Sequence, residues 1–72
     1  MSEESPAPPH NAVVFKCWVR WDPKRYCYVR CQTAYSAWNR AAVELKVEPQ
    51  QVATAYYTGS EKRIKRPILD PL

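Results

Sequence analysis

The sequence predicts a small α+β domain of two layers, with its elements in the order strand, strand, helix, strand. Three observations lead to it. Residues 12–21 and 25–32 alternate apolar and polar side chains with a period of two, as a half-buried strand does. Residues 34–45 repeat apolar side chains at spacings of three and four, which lines one face of a helix. The chain has 72 residues, enough for one domain of marginal stability, since a chain of this size buries only about 60% of its unfolded surface.

In the first strand Val13, Phe15, Cys17, Val19 and Trp21 take the odd positions, and Lys16, Trp18 and Arg20 the even ones. Asp22-Pro23-Lys24 follows as a type I turn candidate, with Pro at the second turn position. In the second strand Cys27, Val29 and Cys31 are odd, and Tyr26, Tyr28 and Arg30 even. Opposed residues of an antiparallel pair share a face, so odd must meet odd if both apolar sets point to one core. A three-residue turn over Asp22–Lys24 does this and sets Val19 against Cys27 and Cys17 against Val29. A four-residue turn fails the test, whereas a five-residue turn passes it, so parity fixes the register only to within two residues.

Thr33 is placed to cap the helix, its hydroxyl accepting an orphan amide of the first turn. Ala34, Trp38, Ala41, Ala42 and Leu45 form the apolar stripe, with Trp38 the expected anchor on the sheet. Arg40 and Glu44 make an i, i+4 pair. Pro49 ends the helix near Lys46 or Val47. A third strand fits residues 51–58 before Gly59, its inward face open between Ala53 with Ala55 and Val52 with Tyr56. A right-handed crossover makes this strand parallel to the second and antiparallel to the first. The expected product is a two-layer ββαβ domain over residues 12–59: a three-stranded antiparallel/mixed sheet, the first strand central, with one helix on one face. The ends are expected to be flexible: a disordered Pro-rich arm at 1–11, and a basic, then Pro- and Leu-containing tail at 60–72 without an element of its own.

Composition excludes several classes. At 46% hydrophobic residues the chain is no disordered polyelectrolyte. No apolar run approaches the roughly 18 residues that span a bilayer. Met-Ser-Glu-Glu-Ser-Pro lacks the apolar core of a secretory signal, so a cytoplasmic location and no membrane partner are expected. Cys17, Cys27 and Cys31 are an odd count, which points to a reducing compartment and free, buried thiols. Zinc held by these and His10 is excluded by spacing, since Cys27 and Cys31 lie about 13 Å apart along a strand. The single His lies in the arm, one Gly cannot build a phosphate loop, and no acids are paired for proton transfer. No enzyme, catalytic residue, metal or cofactor is expected.

Charge and aromatics carry the functional reading. All 11 Lys and Arg fall between residues 11 and 66, against only Asp22, Glu44, Glu48 and Glu61, which leaves that stretch at +7 while both ends are acidic. Such a core suits a polyanion or an acidic protein surface. With the helix on one face, the other face has no second layer and carries Lys16, Trp18, Arg20, Tyr26, Tyr28 and Arg30. Aromatics with Arg and no acid are the composition of protein-binding hot spots and of single-stranded nucleic-acid platforms; mutual packing on a solvated sheet face is the plainer alternative. Lys62, Arg63, Lys65 and Arg66 form a second basic element, followed by an apolar end that folds back or enters a partner.

A hairpin, one amphipathic helix, a returning strand and unstructured ends over residues 12–58 make the layout similar to the small regulators of host RNA polymerase encoded by bacteriophages, of the Xanthomonas-phage and T7 types. The resemblance implies a non-enzymatic inhibitor or modulator of transcription, a monomer when free, that binds bacterial RNA polymerase through its largest subunits in the host cytoplasm. The T7-type inhibitors are acidic where this chain is basic, so the resemblance transfers no site residues. The alternative is a small DNA- or RNA-binding protein using the same face and tail.

Overall fold

A computed structural model describes residues 12–72; the Pro-rich arm and His10 lie outside the described residues. The hairpin is formed by β1 (Val13–Val19) and β2 (Asp22–Cys31). It is followed by α1 (Ala34–Leu45), β3 (Val52–Tyr56) and β4 (Ile68–Leu69). The sheet order is β3-β1-β2-β4, with β1 antiparallel to both of its neighbours and β4 parallel to β2. The α+β class and the central first strand agree with the sequence reading. The count of three strands does not: the C-terminal tail supplies a 3-10 turn, Glu61–Arg63, and the fourth strand.

The hairpin keeps the expected parity but sits two residues out of the three-residue-turn register. Cys17 opposes Cys27, Lys16 opposes Tyr28 and Trp18 opposes Tyr26. The chain reverses through Arg20 and Trp21, because Val19 pairs with Asp22. Asp22-Pro23-Lys24 therefore belongs to β2 rather than to the turn. The ladder breaks between Trp18 and Val19, and Pro23, Lys24 and Arg25 fall in the gap. A Pro without an N–H is tolerated at such a bulge. Beyond it the alternation no longer sets direction, which leaves Trp21 60% exposed instead of in the core.

The core lies between the odd-numbered face of the hairpin and the helix. Phe15, Cys17, Val19, Val29 and Val52 are fully buried. The helix contributes Ala37, Ala41, Ala42 and Leu45, so Ala37 takes the place expected for Ala34 and Trp38. Alanines let α1 approach closely enough for the Cys17 thiol to donate to the Ala37 carbonyl at 3.8 Å. An indole does not fit that gap. Trp38 lies instead over the flank of β3, half-buried, and its Nε1–H donates to the Val52 carbonyl at 3.1 Å. The third strand turns Val52, Thr54 and Tyr56 toward the helix side, since they oppose Val19, Cys17 and Phe15.

Local chemistry sets the ends of α1. Thr33 caps it, its hydroxyl accepting from the Ser36 amide at 3.2 Å. Lys46 closes it in the left-handed region at φ 60°, and Arg25 donates to the last carbonyl, that of Leu45. Glu48 and Gln51 then form a capping box around Pro49–Gln51 that leads into β3.

After β3 the chain crosses the sheet on the face opposite the helix. Tyr57 stacks edge-on to Tyr28, Glu61 pairs with Arg30, and Arg66 lies over Tyr26 before β4 joins β2. The face expected to lack a second layer is thus partly covered by the chain itself. The helical crossover runs from β2 to β3 on one face, and this second crossover returns on the other. Opposite directions on opposite faces give both connections one hand, as the crossover rule requires.

Candidate functional site

The even-numbered face of the hairpin, with the segment that crosses it, brings together most of the residues singled out from sequence. Lys16 and Trp18 on β1 are half-buried, as are Tyr26 and Arg30 on β2. Tyr28 is only 9% exposed, and burial pushes its phenol above its ordinary pKa. Its ring meets Tyr26 at 5.8 Å and Tyr57 at 5.4 Å between centroids, both edge-on. Tyr28 is therefore a structural support and not an exposed contact.

Tyr26 is held between two cations. The Lys16 ammonium lies 4.9 Å from the ring centroid and the Arg66 guanidinium 4.0 Å from it. Arg66 also donates to the Tyr26 carbonyl at 3.4 Å. Arg30 makes a two-pronged pair with Glu61, at 3.1 and 2.6 Å. That hydrogen bond lowers the Glu61 pKa and raises that of Arg30. Lys62, Arg63 and Lys65 lie between the Glu61 and Arg66 anchors and are exposed.

Arg20 does not belong to this face. It sits in the hairpin turn, its Nε donates to the Gln50 carbonyl at 3.0 Å, and it lines a shallow trough with Ala34, Tyr35, Trp38, Val52 and Thr54 on the helix side. The broken ladder after Trp18 removes it from the alternation on which the sequence reading relied.

What stays open on the crossed face is a groove of about 360 Å³ lined by Lys16, Trp18, Pro23, Ala55, Tyr57 and Gly59, among others. Ala55 and Tyr57 were missed from sequence. The signal was present: both have the parity of Ala53 on β3, which places them beside Lys16 and Val14 of β1. The groove therefore has two aromatic walls, a small-residue floor and a cationic rim.

The three thiols lie on the opposite, inward face, all free and buried. Burial raises each pKa, that of Cys27 to about 12. Among the described residues no group of three or more His, Cys, Asp or Glu is placed to hold a metal ion. No described helix is long and apolar enough to cross a membrane. The chain matches no protein-family model, and comparison with curated proteins and with solved structures returns no match.

Proposed function

We propose that this protein is a non-enzymatic binding module for an acidic protein surface, and that its partner is a subunit of bacterial RNA polymerase whose transcription it inhibits or modulates. The observation that supports an acidic surface is the joining of two basic elements by the crossing segment. Lys62, Arg63 and Lys65 stand exposed on the segment that crosses a face already holding Lys16 and Trp18, with Arg66 anchored on Tyr26. The polymerase identity draws on the similarity of element order to the phage regulators.

The same geometry weighs against a base-stacking platform. Stacking of bases needs open ring faces, yet the Tyr26 ring is flanked by Lys16 and Arg66, and Tyr28 lies under Tyr57. Trp18 alone keeps a partly open ring among the residues picked for that role.

The test is capture of purified bacterial RNA polymerase by the full chain, with and without nuclease. Binding that resists nuclease is expected. The double variant Lys62→Glu, Lys65→Glu should weaken it more than tenfold, about 1.4 kcal/mol. These side chains are exposed, so the fold should be unchanged by circular dichroism. No binding to polymerase would remove the polymerase reading. Loss of binding on nuclease treatment, with a steep fall as salt rises, would favour a nucleic-acid partner instead.

A further inference from the structure

We infer that two copies of this chain pair through the outer edge of β3, in antiparallel fashion and with Ala55 on the two-fold axis. The inference begins with where the backbone groups of β3 point. Arg20 donates to the Gln51 carbonyl and Tyr57 to the Val14 carbonyl, both at 2.9 Å. In this ladder Gln51, Ala53, Ala55 and Tyr57 therefore bond to β1, and Val52, Thr54 and Tyr56 turn their N–H and C=O groups outward. Val52 is already satisfied, its amide by the Pro49 carbonyl and its carbonyl by the Trp38 indole. Thr54 and Tyr56 keep outward backbone groups with no partner among the described residues.

An open edge of this kind is normally protected by charge, proline or a bulge. Here residues 50–60 contain no charged residue and no Pro, in a chain that is 25% charged. That neutrality selects the occupant. A chain of net charge +4 repels its own copy over most of its surface, and this uncharged strand, with Lys16 one strand further in and Arg20 at its far end, is where two copies can meet without like charges directly opposed.

The pattern of open groups also fixes the register. Facing Thr54 of one copy to Tyr56 of the other uses every open backbone group of β3 within the strand, whereas pairing Tyr56 with Val52 would meet groups already bonded. Two hydrogen-bonded pairs then form about the axis, roughly four bonds, and Ala55 faces Ala55. Side chains fit the same arrangement. Tyr56 is 70% exposed and lies on the helix side of β3. Its ring packs on Phe15 of its own copy at 4.9 Å, and across the axis its backbone faces Thr54 of the second copy, beside the trough lined by Arg20, Ala34, Tyr35, Trp38 and Val52. Tyr35, also 70% exposed, forms one wall of that trough. The result is a continuous sheet through both copies, and the monomer expected from sequence is replaced by a dimer.

The experiment is sedimentation equilibrium on the full chain across a concentration series, with Ala55→Lys and Ala55→Glu. Ala55 is exposed, so both variants should fold, which circular dichroism verifies. The wild type is expected to approach twice its 8.4 kDa as concentration rises. Each variant alone should raise the dissociation constant more than tenfold, because like charges then oppose each other directly across the axis. An equimolar mixture of the two should restore the dimer. A wild type that stays monomeric at several hundred micromolar overturns the inference. So does a dimer indifferent to both variants, or a mixture that fails to recover.

Discussion

Cys17, Cys27 and Cys31 share the buried face of the hairpin, and their environment makes them inert. The nucleophilic form of a thiol is the thiolate, and burial disfavours it. An aromatic disulfide reagent at pH 8 should therefore label none of the three in the folded protein and all three after denaturation; rapid labelling under native conditions would show that the face opens. The same shifts set an alkaline limit on stability. An unfolded Cys27 ionises near 9, and the folded one near 12. Above pH 9 the folded state holds the proton that the unfolded state has lost, so the contribution of this thiol is complete below pH 9 and is lost as pH rises toward 12. Denaturant midpoints measured from pH 8 to 11 should fall steadily, and less in Cys27→Ala relative to its own value at pH 8. These inward residues were legible in the sequence because parity is local. The outward placing of Arg30 was legible for the same reason, but its pairing was not, since Glu61 lies 31 residues away and no local pattern encodes that pair.

At the scale of the element, the helix shows where pattern reading stops. Hydrophobic spacing gave the right segment and the right cap, Thr33, but weighted Trp38 by its size. Clearance is what decides, and where the helix passes closest to the sheet, at Ala37 over Cys17, an alanine fits. Ala37→Leu should accordingly cost about 1–3 kcal/mol by overpacking. Trp38→Ala, on the flank of β3, should cost about 2 kcal/mol, from partial burial and one hydrogen bond. Phe15→Ala, at 1% exposure in the centre, should cost about 3–5 kcal/mol. Chemical denaturation of the three variants ranks them, and a Trp38→Ala loss equal to that of Phe15→Ala would contradict the observed packing. The hairpin register lies within the two residues that parity left open, but not at the three-residue-turn setting, for a related reason. Asp22-Pro23 is a good turn signal, but the chain turned two residues earlier and placed Pro23 in a bulge, where its missing N–H costs no ladder bond. The fourth strand has two residues, too few for any periodicity to register.

For the molecule as a whole, the basic tail is part of the fold. It crosses the sheet, supplies β4 and lays Arg66 over Tyr26. Deletion after Ser60 would strip the Arg66 contact from Tyr26 and the Glu61 contact from Arg30. It should lower stability by about 1–2 kcal/mol, or roughly 4–16 °C in melting temperature for a domain of this size, so loss of binding in that truncation would not by itself locate the site. The Glu61 anchor can be tested more gently. Its carboxyl pKa is held below the usual value by Arg30, so the contact is present above the unfolded value of 4.5 and is lost as pH falls through the lower folded value. Glu61→Gln should speed amide exchange across residues 61–69 at pH 6 and leave that of β1 unchanged. Equal exchange in both proteins would show that the crossing is held by its rings alone.

Two crossovers of one hand also mean that the chain makes a full wind around its own sheet, and a wind has an order of release. Tension applied at Leu72 meets first the Arg40 bond to the Asp70 carbonyl, then the two ladder residues of β4, the Arg66 and Glu61 contacts and the Tyr57 ring on Tyr28, and only afterwards the five-residue pairing of β3 with β1. The cover can be drawn off while the three-stranded layer and its helix stay closed. A partner that grips the basic segment therefore pulls on the weakest link of the molecule, and can lengthen it by a dozen residues while uncovering only the flank of the core on which Leu69 packs.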